Sequence, residues 1–264
     1  MKNRILTLLF LLITILFACT SEKEKPSDMI RLGIFGGMGP GATADLYQQV
    51  VKLTPAKTDQ EHIPTIIYSQ PRIPDRMASI RNKDQIVVPY IVEAVKLLED
   101  AGASFIAIPC NTVHYFFDYM QDAVSIPIIN MIKEAVQVVS DKYPDVKKVG
   151  LLATTATIET KLYEKELINK GFQVVIPDDD VENEKVMKAI FGIKSGIDRQ
   201  INEDLLAEAG QNVIDKGAEL IILGCTEIPL AFNPHRVNVP VVNATKTLAE
   251  KAIKMYAELS GKIK

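Results

Sequence analysis

Two cysteines sit in matching surroundings. Cys110 occupies Ile108-Pro109-Cys110-Asn111-Thr112 and Cys225 occupies Leu223-Gly224-Cys225-Thr226-Glu227, so each follows an apolar run after one intervening residue and precedes a polar pair. A thiolate is a base and a nucleophile, and a protonated thiol is an acid. Residue type alone leaves three uses open for such a pair. The cysteines form a disulfide, they serve as small buried hydrophobes, or they work together as an acid and a base on one substrate. Where the chain places them decides among these.

From Met29 onward, apolar runs bounded by Gly or Pro alternate with segments of helical period. Ile30 to Phe35, Thr65 to Tyr68, Phe105 to Ile108, Val149 to Leu152, Val174 to Ile176 and Leu220 to Leu223 read as buried strands. Val88 to Asp100, Thr160 to Lys170, Glu203 to Lys216 and Ala244 to Leu259 read as amphipathic helices, with Ala101-Gly102 and Lys216-Gly217 as stops. Such alternation predicts an α/β fold with parallel sheets. The order also repeats. Leu32-Gly33-Ile34-Phe35 matches Val149-Gly150-Leu151-Leu152, the segment from Ala101 to Thr112 matches Lys216 to Glu227, and Ser125 to Asn130 matches Asn238 to Asn243. Two pseudosymmetric Rossmann-like domains follow: residues 29–130 with 243–264 in one, 131–242 in the other, after an N-terminal segment 1–28.

In a parallel α/β sheet, ligands bind outside the carboxyl ends of the strands. Both cysteines fall there, so two halves facing each other place one thiol on each wall of an interdomain cleft. An acid and a base flanking a tetrahedral carbon can take a proton from one face and return another to the opposite face, which inverts the stereocentre. A cysteine at a helix N-terminus has a lowered pKa, so a thiolate base is expected near neutral pH. A substrate between the sulfurs would also keep them from bonding. The disulfide and buried-hydrophobe readings leave the matched placement unexplained.

Four segments carry a further signal: Gly36-Gly37-Met38-Gly39-Pro40, Pro71-Arg72-Ile73-Pro74-Asp75-Arg76, Pro109-Cys110-Asn111-Thr112-Val113-His114 and Leu223-Gly224-Cys225-Thr226-Glu227-Ile228. In this order they resemble the signatures of the aspartate racemase branch of the aspartate/glutamate racemase superfamily, from about Ile30 to the C-terminal helix. The resemblance implies catalysis without pyridoxal phosphate or any other cofactor and without metal, commonly in a homodimer. It implies a small acidic amino acid as substrate, aspartate before glutamate, and makes Cys110 and Cys225 the catalytic pair. Asn111, Thr112 and Thr226 correspond to residues that grip the α-carboxylate and α-amino group, and Met38 belongs to the first substrate-binding signature. Arg76 and Lys194 correspond to the cations that bind the side-chain carboxylate, a task for which Arg offers bidentate contact. One of Thr154, Thr155 and Thr157 is expected to bind substrate, with Thr155 selected and Thr157 otherwise a helix cap. Glu227 is placed to orient the substrate ammonium or a partner group. His114 either tunes Cys110 or faces away from it. Arg72 stands where the family often has a neutral residue, which leaves substrate size open.

The N-terminus has its own character. Lys2 and Arg4 precede the uncharged apolar run Ile5 to Phe17, which meets Ala18-Cys19-Thr20-Ser21. This is the layout of an export signal, and the run is shorter than the ~20 residues a membrane-crossing helix needs. Leu16-Phe17-Ala18-Cys19 resembles a bacterial lipobox with Cys19 as the lipidated residue, although Phe17 is bulkier than usual there; plain secretory cleavage is the alternative. The expected location is therefore outside the cytoplasm, facing the periplasm or the cell exterior. Contact with a membrane would be only through lipid on Cys19, with Ser21 to Ser27 as a tether.

Bulk composition narrows the partners. The 264 residues, 47% hydrophobic and 24% charged, suit a folded enzyme, and a net charge of −3 gives no basic field for nucleic acid. Two readings compete with the racemase. Gly37-Met38-Gly39-Pro40-Gly41-Ala42, with Asp59 downstream, fits a dinucleotide-binding pattern but leaves the cysteine repeat unexplained. The other is an exported lipoprotein that binds amino acids without turnover, its cysteines bridged or silent and Arg76 with Lys194 holding an acidic ligand.

Overall fold

Leu32-Gly33-Ile34-Phe35-Gly36 is apolar throughout and forms β1 (Leu32–Gly36), buried along its whole length as the middle strand of its sheet. β2 (Thr65–Ser69) and β3 (Phe105–Ala107) flank it in parallel, with Leu32 opposite both Thr65 and Phe105. The second sheet repeats the plan: β4 (Lys148–Ala153) lies between β5 (Gln173–Val175) and β6 (Leu220–Gly224), all parallel. These positions come from a computed structural model that describes residues 29–261. The apolar run, Cys19 and the tether lie outside the described residues. Among the described residues, no helix is long and apolar enough to cross a membrane.

Helices join the strands: α1 (Pro40–Leu53), α2 (Arg76–Asn82), α3 (Val88–Asp100), α4 (Met131–Lys142), α5 (Thr155–Glu159), α6 (Leu162–Asn169), α7 (Lys188–Lys194), α8 (Arg199–Asp215) and α9 (Ala244–Leu259). α3 and α9 have the bounds their periodicity predicts. The helix expected over Thr160 to Lys170 begins instead at Leu162, because Lys161 adopts a left-handed conformation (φ 56°) that separates α5 from α6. α8 starts earlier than expected, at Arg199, where Asp198 accepts the N–H of Gln200 as its cap.

The repeat extends beyond the cysteines. β6 pairs with β7 (Val241–Asn243) through Ile221 and Val241, and the equivalent place in the first sheet is held by a single bridge between Ile106 and Ile128. Both segments end in an asparagine that caps the next helix. Asn130 accepts the N–H groups of Ile132 and Lys133 at the start of α4, and Asn243 accepts that of Lys246 in α9.

Alternate strand residues serve different cores, as the two-residue period of a strand requires. Leu32 and Ile34 of β1 join Val149 and Leu151 of β4 in one cluster that includes Ile132, Val136, Leu248 and Ala252 of α4 and α9. Phe35 and Ile106 belong to a second cluster with Ile91 and Leu98 of α3, and Leu152 and Ile221 to a third with Leu206 and Val213 of α8. The last helix, α9, packs along α1 and α4. Its burial therefore completes the face shared by both sheets.

Candidate active site

Both cysteine loops leave the carboxyl ends of their strands and meet at one cavity of about 260 Å³. Cys110 and Cys225 are buried free thiols, and both line it. No disulfide joins them in this structure. Around them stand Met38, Asp75, Arg76, Asn111, Thr112, Thr154, Lys194, Thr226 and Glu227, with Ile73, Met77, Ile190 and Phe191 as the apolar part of the wall. Of the substrate-binding residues expected from sequence, all but Thr155 reach this cavity.

Local structure explains why each side chain arrives there. Gly36 and Gly37 let the first loop turn tightly: Gly37 has φ +98°, and a Cβ there would come within 2.4 Å of the Gln70 backbone. Pro40 then opens α1 at its first turn, where its missing N–H costs nothing. Asp75 caps α2 by accepting the N–H groups of Met77 and Ala78, which fixes Arg76 as the first helical residue. Lys194 is the last residue of α7, which follows a π-helical segment, Glu182–Met187.

The loops of the two halves are bonded to each other. Thr226 Oγ1 donates to the carbonyl of Pro109 (3.1 Å), and the N–H of Gly39 donates to Glu227 Oε1 (3.0 Å). The Gly37 N–H is likewise taken, by Thr43 Oγ1 at 2.8 Å. With both amides occupied by the protein itself, the glycine loop does not present the open phosphate cradle that a dinucleotide site needs. Among the described residues, no group of three or more His, Cys, Asp and Glu side chains could hold a metal ion.

The groups bonded to the Cys110 loop are neutral. Tyr163, fully buried, donates its hydroxyl to Asn111 Oδ1 (2.6 Å), and burial pushes its phenol pKa up. The amide is thus fixed with Nδ2 left over, and that nitrogen is buried without a partner. Thr112, Thr154 and Thr157 form a triangle of hydroxyls at 2.9–3.2 Å. His114 does not approach the sulfur. Its Nε2 accepts the N–H of Met131 (3.2 Å), so Nδ1 carries the proton and donates to the carbonyl of Cys110 (2.8 Å). Burial lowers its pKa to about 4 and keeps it neutral.

The Cys225 side holds charge. Glu227 is 3% exposed, its Oε2 accepts from Cys225 Sγ at 3.1 Å, and its Oε1 lies 3.5 Å from Lys194 Nζ. Arg76 Nη1 donates to the Pro74 carbonyl (3.2 Å), while its Nε is buried and unpartnered. Burial, and after it the Glu227 charge, push the Cys225 thiol well above its ordinary value, with Lys194 opposing them. At Cys225 the helix-start setting does not lower the thiol: the turn after it is too short to outweigh burial beside a carboxylate.

Thr155 is also corrected. Its hydroxyl donates to Glu182 Oε1 (3.3 Å), away from the cavity, because Thr154 is the N-cap of α5 and its own side chain takes the place on the wall. Glu182 is itself buried; desolvation raises its pKa to about 7 and Oε2 has no partner. Arg72 is exposed and lines no part of the site. Sequence reading missed Tyr163, which lies within a helical pattern with nothing local to distinguish it, and Glu182, which lies in a segment given no element. It also missed Asp75, whose place four residues before the buried Ser79-Ile80 pair was a cap signal.

A two-sheet α/β frame that brings one free thiol from each half to a single cavity defines an enzyme with a paired acid and base. The match to known proteins narrows the class. Residues 35–252 match the Asp/Glu/Hydantoin racemase family, and the chain belongs to that family as an amino-acid racemase. It is 29% identical over 229 residues to the broad specificity amino-acid racemase RacX of Bacillus subtilis, covering 85% of this chain and 97% of that one. Among solved structures, the aspartate racemase of Picrophilus torridus superposes with a TM-score of 0.76 at 30% identity, covering 88% of this chain and 98% of that chain. An aspartate racemase homologue from Pyrococcus horikoshii gives 0.71 at 29%, covering 87% and 100%.

Proposed function

We propose that the protein racemises a small acidic amino acid, aspartate before glutamate, by a two-base mechanism that uses Cys110 and Cys225 and no cofactor. One observation carries the reading: two free thiols from equivalent strand ends line one cavity whose buried donors, Asn111 Nδ2 and Arg76 Nε, have no protein partner. Unpaired buried donors are costly, and carboxylate oxygens would satisfy them. Asn111, with the loop amides near it, suits the α-carboxylate, and Arg76 with Lys194 suits the side-chain carboxylate. The thiolate on one side takes the proton from Cα, and the electron pair of the broken C–H bond remains on carbon. The thiol on the other side then gives its proton to the opposite face, leaving the second sulfur as thiolate.

Relatives named as aspartate, glutamate and broad-specificity racemases support racemisation of an amino acid, and the order of substrates rests on the motif resemblance. Incubating the reduced protein with L- or D-aspartate and glutamate in deuterated buffer, with no added cofactor, tests the reading. Deuterium should enter Cα as optical rotation decays, faster for aspartate. Retention of protium in all four would reject racemisation of these substrates. Export, lipid on Cys19 and a homodimer belong to the same proposal; they rest on the N-terminal pattern and the family resemblance.

A further inference from the structure

We infer that Glu227 is a positioning residue that holds Cys225 as the protonated member of the thiol pair, so that the two sulfurs differ before substrate arrives. The geometry is specific. Glu227 Oε2 lies 3.1 Å from Cys225 Sγ, and a carboxylate at that distance accepts the S–H. Its other oxygen is fixed by the Gly39 N–H and Lys194, so the carboxylate cannot swing away without abandoning both. In the repeat, the residue equivalent to Glu227 is Thr112, a neutral hydroxyl engaged with Thr154 and Thr157. The fold therefore offers the same position twice and places a charge there once.

Other groups around Cys225 leave this assignment standing. Lys194 comes from α7 and favours the thiolate; Tyr163 comes from α6 and is a neutral phenol held by Asn111. Arg76, Asp75 and Cys110 line the same cavity. Burial and the carboxylate outweigh Lys194 and raise the Cys225 thiol. On the racemase reading, the resting enzyme then starts with Cys110 as base and Cys225 as acid. After one inversion the charge sits on Cys225 beside Glu227, the less favourable arrangement of like charges. Because the two enantiomers have equal free energy, kcat/KM is the same in both directions at every pH; the inequality of the two enzyme forms shows in kcat and KM separately.

The test follows alkylation of each thiol by iodoacetamide against pH on the intact, reduced protein, with the two cysteine peptides resolved by mass spectrometry. Glu227→Gln should lower the Cys225 midpoint by about one pH unit or more, while the Cys110 midpoint stays where it is in the wild type. Burial remains, so the midpoint should still lie above that of an ordinary thiol. Lys194→Met should move the Cys225 midpoint the other way. An unmoved Cys225 midpoint in Glu227→Gln, with only KM for the amino acid raised, would overturn the proposal and assign Glu227 to the substrate ammonium. Should Glu227→Gln fail to fold, an unmoved midpoint in Lys194→Met overturns it as well. Alkylation needs no turnover, so shifted midpoints in a protein that exchanges no α-proton would uphold the role of Glu227 and reject the racemase reading instead.

Discussion

The two cysteine loops leave equivalent strands of a repeated fold and reach one cavity, yet they differ in charge. The loop that carries Cys110 presents an amide and a set of bonded hydroxyls, with a neutral imidazole on its backbone; the loop that carries Cys225 presents a carboxylate in contact with the thiol and paired with an ammonium. Backbone symmetry sets where the two sulfurs stand, and side chains set which of them carries the proton. An enzyme that inverts a stereocentre needs both. Its acid and base must flank the carbon from opposite sides, and they must not be in the same protonation state.

The largest effect on this comparison comes from removing either sulfur. Cys110→Ala and Cys225→Ala should each lower racemisation by about 10³-fold, the middle of the range for a positioned acid or base, as followed by chiral chromatography of aspartate. Each variant should keep α-proton exchange for one enantiomer only, and not the same one. A variant that racemises near the wild-type rate would break the two-base model. Next in size is the difference between the two cations. Arg76 has a free buried nitrogen and Lys194 is already paired, so Arg76→Ala should raise KM for aspartate by about 10–100-fold, from the loss of a charge-assisted hydrogen bond. Lys194→Ala should raise it less, and a neutral amino acid should barely register either change. Equal losses for acidic and neutral substrates would remove both residues from side-chain recognition.

The smallest effect is on stability, and it runs in opposite directions in the two halves. Glu182 has a folded pKa raised from 4.5 to about 7, so the native state binds more protons between those values and its stabilising contribution is lost as pH rises through them. Glu182→Gln should therefore gain on the wild type across that window, by on the order of 2 kcal/mol above it. His114 has a folded pKa lowered from 6.5 to about 4, so its contribution is lost as pH falls from 6.5 to 4. His114→Gln should flatten that fall. Thermal unfolding midpoints measured from pH 4 to 8 separate the two slopes.

Much of this architecture was legible in the sequence because the signals were local and came twice. Val149-Gly150-Leu151-Leu152 is recognisable as a second Leu32-Gly33-Ile34-Phe35, and Asn130 with Asn243 marks the two helix starts after the third repeated segment. The cysteines and the polar steps after them, Asn111-Thr112 and Thr226-Glu227, stand out in the same repeat, while the roles given to those polar residues come from the family resemblance. What stayed hidden depends on contacts distant in sequence. Tyr163 meets Asn111 across 52 residues and Gly39 meets Glu227 across 188. The choice of Thr154 over Thr155 turns on which residue caps a five-residue helix, too short to show a period. Cys225 misled for a related reason: a helix-start position predicts a lowered pKa, and only burial beside Glu227 reverses it.

The placement of α9 has a consequence for how the two halves move. Leu248 and Ala252 share one cluster with Leu32 and Ile34 of β1 and with Val149 and Leu151 of β4, so a hinge motion of one sheet against the other would have to break close packing at α9. The spacing between the two cysteine loops is thereby tied to a helix that lines no part of the cavity.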